Sequence, residues 1–211
     1  MTGTAEECAV DLYDAYLSLR VQWSDAPLPE RVALVITERD LLEQGAYETM
    51  AEFFQWAIDF GAEQIVVYVS VLDEGAVPTL RRQFEAVQAP VPVAVRSPGD
   101  DEQADAPVQV SLGLGGKHEL AGAIRSLAAD VAVGDLDPAD IDAATVEDRL
   151  VFPVAPDLVI KTGAERLSDF MIWQSVYAEL YFTDVNWRNF RRRDYLRALR
   201  DYQQRQRRFG R

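Results

Sequence analysis

The sequence is poor in the residues that build metal and disulfide sites. One cysteine, Cys8, and one histidine, His118, occur in 211 residues. A single thiol cannot close an internal disulfide, and one Cys with one His excludes a Cys/His zinc site within one chain. No apolar run approaches the ~18 residues needed to span a bilayer. The start, Met1-Thr-Gly-Thr-Ala-Glu-Glu-Cys8, has no basic stretch followed by an apolar one. No secretory signal is therefore expected, and a cytoplasmic location is the default. Lysine is scarce as well: Lys117 and Lys161 stand against 19 Arg.

What is abundant is negative charge. The chain holds 20 Asp and 15 Glu, for a formal net charge of −14. Few Lys and many Asp is the composition expected of a salt-rich cytosol, where the Debye length falls to roughly 3 Å at 1 M and self-repulsion is screened. An ordinary acidic cytosolic protein is the other reading. The charge is unevenly placed. Residues 1–184 hold 33 acids and 11 bases, a net of −22, whereas residues 185–211 hold 10 Arg and two Asp, a net of +8. An Arg-dense tail on an acidic body points to an anionic target.

A hydrophobic fraction of 48% excludes general disorder. The length suits one α/β domain with a substantial core. Ala9, Leu12, Tyr13, Tyr16 and Leu19 share a helical stripe within residues 5–20, and Pro27 and Pro29 mark a connector, so residues 1–29 read as a helix and linker. Short apolar runs at 31–36, 64–70, 91–95, 108–112 and 157–161 read as buried strands, with a sixth at 179–182. Helices are predicted over 46–60, 76–88, 118–130, 169–178 and 189–205, the last opening an Arg-rich C-terminal helix and tail over 185–211. Residues 97–107 read as a polar loop and 135–142 as a loop and cap region. The alternation predicts an α/β fold, a single domain over 1–211 with a mostly parallel six-stranded sheet flanked by helices. Ligands of such sheets bind at the carboxyl ends of the strands.

One such end stands out. Lys161-Thr-Gly-Ala-Glu-Arg166-Leu-Ser168 places an ammonium, a Gly turn, a guanidinium and a helix-capping hydroxyl in succession. Together they suit a phosphate. An ordinary helix cap with surface cations fits the same residues.

The surrounding sequence adds to that reading. Pro156-Asp-Leu-Val-Ile-Lys161-Thr-Gly163, followed by Arg166-Leu-Ser-Asp-Phe-Met-Ile-Trp173-Gln-Ser-Val-Tyr177-Ala-Glu179-Leu-Tyr-Phe182-Thr-Asp-Val-Asn-Trp187, resembles the C-terminal signature of the cis-prenyltransferases, the undecaprenyl and dehydrodolichyl diphosphate synthase family. Gly115-Gly116-Lys117-His118-Glu119-Leu120 resembles the family's Gly-Gly-Arg-x-Glu-Ile turn, with Lys for Arg. Arg31–Ile36 is similar to its first strand, and Arg208-Phe209-Gly210 to its C-terminal Arg-x-Gly motif. The resemblance covers most of residues 30–211.

It implies condensation of isopentenyl diphosphate onto an allylic diphosphate in cis geometry, with Mg²⁺. It implies that Lys161, Arg166 and Ser168 bind the diphosphate of isopentenyl diphosphate and that Glu179 contributes to the metal site. Arg208 and Gly210 would reach across a dimer into the partner's site. No nucleic-acid partner is expected.

The departures are grouped. The family's first strand leads into Asp-Gly-Asn-Gly-Arg-Trp-Ala, whose Asp works with Mg²⁺ and whose Gly-rich loop cradles the allylic diphosphate. Here the chain reads Thr37-Glu38-Arg39-Asp40-Leu-Leu-Glu-Gln44-Gly45. The family's His in the next helix is absent from residues 47–54, and Ser70-Val-Leu-Asp73-Glu74-Gly75 lacks the Asn of its Phe-Ser-x-Glu-Asn-Trp motif. Glu38 and Asp40 are weak candidates to replace the Asp, because a carboxylate one position along a strand points to the other face and bulky residues take up glycine conformations poorly.

The expectation is a non-catalytic or weakly active subunit, a homodimer or a heterodimer with an intact synthase, much like the Nogo-B-receptor type of subunit. A divergent active synthase and an isoprenoid-diphosphate-binding regulator are the alternatives. Trp173, Tyr177, Tyr181 and Phe182 read as core or dimer-interface aromatics, Cys8 as packing and His118 as a helix-start residue. Arg191–Arg193 fit either peripheral contact with anionic lipid or a solvated face.

Overall fold

The computed structural model describes residues 3–98, 100, 105–152, 155–163 and 170–205, with the side chains of the first helix described from residue 12. The order is α1 (Gly3–Gln22), β1 (Arg31–Thr37), α2 (Glu38–Leu41), α3 (Ala46–Asp59), β2 (Gln64–Ser70), α4 (Val77–Glu85), β3 (Val93–Arg96), β4 (Val108–Leu112), α5 (Gly116–Val133), α6 (Ala143–Glu147), β5 (Leu158–Thr162), β6 (Glu179–Thr183) and α7 (Arg192–Gln204). The strands form one six-stranded sheet in the order β3-β4-β2-β1-β5-β6. Every adjacent pair is parallel. All carboxyl ends therefore lie along one edge.

The central strands are Val/Ile-rich runs buried on both faces, as parallel strands must be. Val32, Leu34 and Ile36 of β1 point into the larger core, with Met50, Phe53 and Phe54 of α3, Phe84 of α4, and Leu196 and Leu199 of α7. Ala33 and Val35 point into a smaller core with Val66, Tyr68, Phe152, Val159, Phe170 and Met171. In the larger core, Phe53 meets Trp187, Phe190 and Tyr195 edge-on, and Trp187 Nε1 donates to the Ala46 carbonyl at 2.9 Å. At the amino edge, Asp157 Oδ2 accepts from the amides of Glu30 and Arg31 at 3.0 and 2.9 Å, which fixes the start of β1 against β5.

Two expectations are corrected. Residues 170–177 do not continue the helix predicted over 169–178. Gln174–Tyr177 form one 3₁₀ turn, and Met171 takes a φ of +36°, which an α-helix cannot contain. The amide of Gln174 donates to the Phe152 carbonyl at 2.8 Å and to Glu119 Oε1 at 3.1 Å, so tertiary hydrogen bonds override the local preference. The last helix begins at Arg192, later than predicted, because Trp187–Asn189 make a 3₁₀ turn that buries Trp187. The short helices α2 and α6 were not expected. Asp142 of the predicted cap region accepts from the Thr145 amide at 2.9 Å and starts α6.

Candidate functional site

Lys161 lies one residue from the end of β5, level with Val35 on β1 and Phe182 on β6. Its side chain is 3% exposed, and Nζ donates to the Thr162 carbonyl at 2.5 Å. Gly163 follows with φ +74°, a left-handed turn that suits glycine. Its amide donates to the Val185 carbonyl at 3.3 Å. Arg166 and Ser168, and likewise Arg208 and Gly210, lie outside the described residues.

The register continues from Lys161 across the sheet. Val35 faces Tyr68, Tyr68 faces Ser111, and Ser111 faces Arg96 at the end of β3. Arg96 is 3% exposed, its guanidinium 6.0 Å from the Phe152 ring centre. Sequence reading placed β3 at 91–95 and passed over Arg96. Its signal was parity: a cation on the side of the sheet that also carries Lys161. Four strand spacings separate the two cations, roughly 19 Å, so they do not form one site.

The glycine-rich turn lies between them. Gly113 has φ +72°, and a Cβ there would stand 3.3 Å from Val71 Cβ, so the β4 turn sits close against the chain leaving β2. Gly115 and Gly116 open α5, and Lys117 and His118 are exposed, as expected of a helix start. Glu119 turns inward. Its Oε1 accepts from the Phe152 amide at 2.9 Å and from Gln174 Nε2 at 3.1 Å. Burial pushes its carboxyl above the usual range, opposed by those hydrogen bonds and by Arg96. Glu119 therefore ties the segments around Phe152 and Gln174 to α5.

At the end of β1, both candidate carboxylates are occupied. Asp40 Oδ2 accepts from the Thr37 amide at 2.8 Å and Thr37 Oγ1 at 2.9 Å, closing the turn into α2. Glu38 Oε2 accepts from the amides of Leu72 and Asp73 at 2.9 and 3.2 Å, binding the end of β1 to the turn after β2. Glu179 begins β6 beside Leu158, three residues or about 10 Å below the level of Lys161, and on the opposite face. Its Oε2 accepts from Arg205 Nη1 at 3.3 Å. One chain does not bring Glu179 and Lys161 together. Among the described residues, no three of Asp, Glu, His and Cys converge as a metal site. The described residues of this edge therefore offer no converging set of carboxylates for an octahedral Mg²⁺.

Beside it, a cleft of about 630 Å³ runs between the α2–α3 turn and α4, lined by Leu41, Leu42, Tyr47, Leu80, Gln83 and Val87. Burial raises the Tyr47 hydroxyl to about 12. Tyr181 packs against the larger core, while Val176, Tyr177 and Phe182 are 65, 72 and 57% exposed. Trp173 Nε1 donates to Glu147 Oε1 at 3.2 Å. Of the Arg191–Arg193 run, Arg191 donates to the carbonyls of Arg188 and Phe190 at 2.9 and 2.8 Å, and the Arg192 guanidinium lies 5.8 Å from the Phe60 ring centre. Two of the three cations are thus used in packing.

The family profile described as "Putative undecaprenyl diphosphate synthase" matches residues 83–210. The chain belongs to this family, the cis-prenyltransferases. A tritrans,polycis-undecaprenyl-diphosphate synthase of Methanopyrus kandleri is 34% identical over 200 residues, covering 78% of this chain and 74% of the relative. The Methanocaldococcus jannaschii enzyme of the same name is 49% identical over 109 residues, but the match spans only 49% of this chain and 39% of that relative. Among solved structures, lavandulyl diphosphate synthase from Lavandula x intermedia, in complex with dimethylallyl diphosphate, superposes with a TM-score of 0.71 at 26% identity, covering 87% of this chain and 99% of that one. A Campylobacter jejuni protein described as a probable undecaprenyl diphosphate synthase shares the fold at a TM-score of 0.63 and 19% identity, covering 88% of this chain and 99% of that one. The parallel sheet of this cis-prenyltransferase-family chain is thus the family's fold, and no described helix is long and apolar enough to cross a membrane.

Proposed function

We propose that the chain is a subunit of polyprenyl diphosphate synthesis that binds isoprenoid diphosphate and supports a catalytic partner. The observation that carries this reading is the engagement of Glu38 and Asp40. Both carboxylates at the position of the family's metal-binding loop accept backbone amides instead of standing free. Lys161, with Arg166 and Ser168, supplies cationic and hydroxyl groups for a diphosphate; Arg208 and Gly210 extend the same role to a neighbouring subunit. In this reading Mg²⁺ is held by the partner, and Glu179 would join it only on leaving Arg205. The exposed Val176, Tyr177 and Phe182 supply an apolar surface for the partner, a second copy or an intact synthase. The acidic, Lys-poor body fits a salt-rich cytosol.

The deciding experiment measures incorporation of labelled isopentenyl diphosphate with Mg²⁺ and an allylic diphosphate. The chain alone should elongate little, and a co-expressed synthase with the complete first-strand motif should gain activity. Robust elongation by the isolated chain would sink the subunit reading.

A second reading, a divergent active synthase, is favoured by the 34% identity shared with the M. kandleri enzyme over most of both chains. It requires Glu38 or Asp40 to leave its present bonds and hold the metal. Replacing both by Ala without changing turnover would exclude it.

A further inference from the structure

α1 carries apolar residues on two opposite sides. Leu17 and Val21 are each 1% exposed and pack into the core. Leu12, Tyr16, Leu19 and Trp23 recur at helical spacing on the other side, exposed by 68, 47, 44 and 79%. The Trp23 amide still donates to the Leu19 carbonyl at 2.9 Å, so all four lie along one line of about 16 Å. A surface helix of a globular protein normally turns its polar side outward.

Cations flank this stripe. Arg20 Nη1 donates to the Tyr16 hydroxyl at 3.0 Å, and its guanidinium lies 5.8 Å from the ring centre. From α7, the Arg197 guanidinium lies 5.6 Å from the Tyr13 ring centre. Arg193, Arg197 and Arg200 share one side of α7 at helical spacing. Gln203 Nε2 donates to the carbonyls of Val21 and Ala26, both at 3.1 Å, and locks the two helices together. An apolar stripe with aromatic rings, bordered by a row of Arg, is the pattern of a helix lying in a membrane interface.

We propose that the outward stripe of α1 and the Arg row of α7 form a docking surface for an anionic lipid bilayer, with both helices lying along it. A second copy of the chain suits the stripe less well. Two-fold pairing would bring the same Arg-flanked surface against itself, whereas anionic headgroups complement it. On an otherwise acidic body, this row also fixes which side faces the lipid. The inference stands on these residues whether or not the subunit reading holds.

Co-sedimentation of the full chain with phosphatidylcholine vesicles, with and without phosphatidylglycerol, tests it. Binding should require phosphatidylglycerol and weaken as salt rises toward ~1 M. Arg193→Gln and Arg200→Gln should each lower it roughly fivefold. The Leu12→Ser/Leu19→Ser pair should lower it at least about tenfold. Trp23→Ser, at the most exposed position of the stripe, should weaken binding with unchanged circular dichroism, and serves if the double variant fails to fold. No binding to anionic vesicles, or equal binding by all variants, would overturn the proposal. So would a stripe variant that halves the mass of the protein in solution while vesicle binding stays absent, since the stripe would then join two copies.

Discussion

Glu38 Oε2 lies 2.9 Å from the Leu72 nitrogen, so the carboxylate that follows Thr37 holds the turn after β2 to the end of β1. This bond and its neighbour to Asp73 separate a structural carboxylate from a metal ligand. Glu38→Gln keeps an acceptor oxygen and loses the charge, whereas Glu38→Ala loses both. Thermal unfolding should show a loss of about 1 kcal/mol for Ala and less for Gln, the size of a partly exposed hydrogen bond. Asp40→Ala should cost about 1 kcal/mol as a lost cap, with Asn restoring part of it. Addition of Mg²⁺ to the chain alone should raise the melting temperature no more than the same ionic strength of sodium chloride. A specific rise that Glu38→Gln abolishes would make Glu38 a metal ligand.

Lys161 is the described cation of the proposed diphosphate site, and it is buried at a strand end. Lys161→Met preserves most of the side-chain volume while removing the charge. Calorimetric titration with isopentenyl diphosphate should show affinity falling at least about tenfold, the scale of a charge-assisted hydrogen bond. Lys161→Arg should recover most of it. Equal affinity for wild type and Met would remove Lys161 from the site.

Two glycines with similar backbone angles should respond differently to alanine. Among the described residues, a Cβ at Gly163 meets Asn186 Oδ1 at 4.0 Å and nothing closer, so Gly163→Ala should cost the left-handed strain, about 1–2 kcal/mol. At Gly113 the added Cβ also stands 3.3 Å from Val71 Cβ. Denaturant midpoints should therefore fall further for Gly113→Ala. Equal losses would show that the β4 turn yields without resistance from β2.

Much of the fold was legible because parallel strands buried on both faces are continuous Val/Ile/Leu runs. β2 and β4 begin and end as their runs do, and β1 extends its run by one residue. Strand order was not legible, since alternation of strands and helices says nothing about β4 lying between β2 and β3. Lys161 was found as a cation closing an apolar run. Arg96 was missed because it adjoins a polar loop and reads as a surface residue; only the register shows it level with Ser111 beneath Phe152. The roles of Glu38 and Asp40 were hidden for a related reason. A carboxylate that accepts amides from the next strand turn has no sequence signature distinct from one awaiting a metal.

Glu119 makes the pH dependence of stability testable at one group. Its carboxyl is buried and raised above the ordinary value of 4.5, chiefly by desolvation. In the unfolded chain it ionises near that ordinary value; in the folded chain it holds its proton to higher pH. The folded state therefore binds more protons in the window between, and stability falls as pH rises through it. The contribution is fully present below the ordinary value and lost above the raised one. Carboxylates with lowered values, Asp100 beside Arg81 and Asp142 at the start of α6, act in the opposite sense and lose stability as pH falls. Glu119→Gln isolates the first effect, because its amide oxygen can still accept from Phe152 and Gln174. Relative to wild type, the variant should gain stability as pH rises from 4.5 through the raised value, and the difference should then stay constant. A difference that does not change with pH would mean that Glu119 ionises as it does in water, its hydrogen bonds and Arg96 having offset its burial.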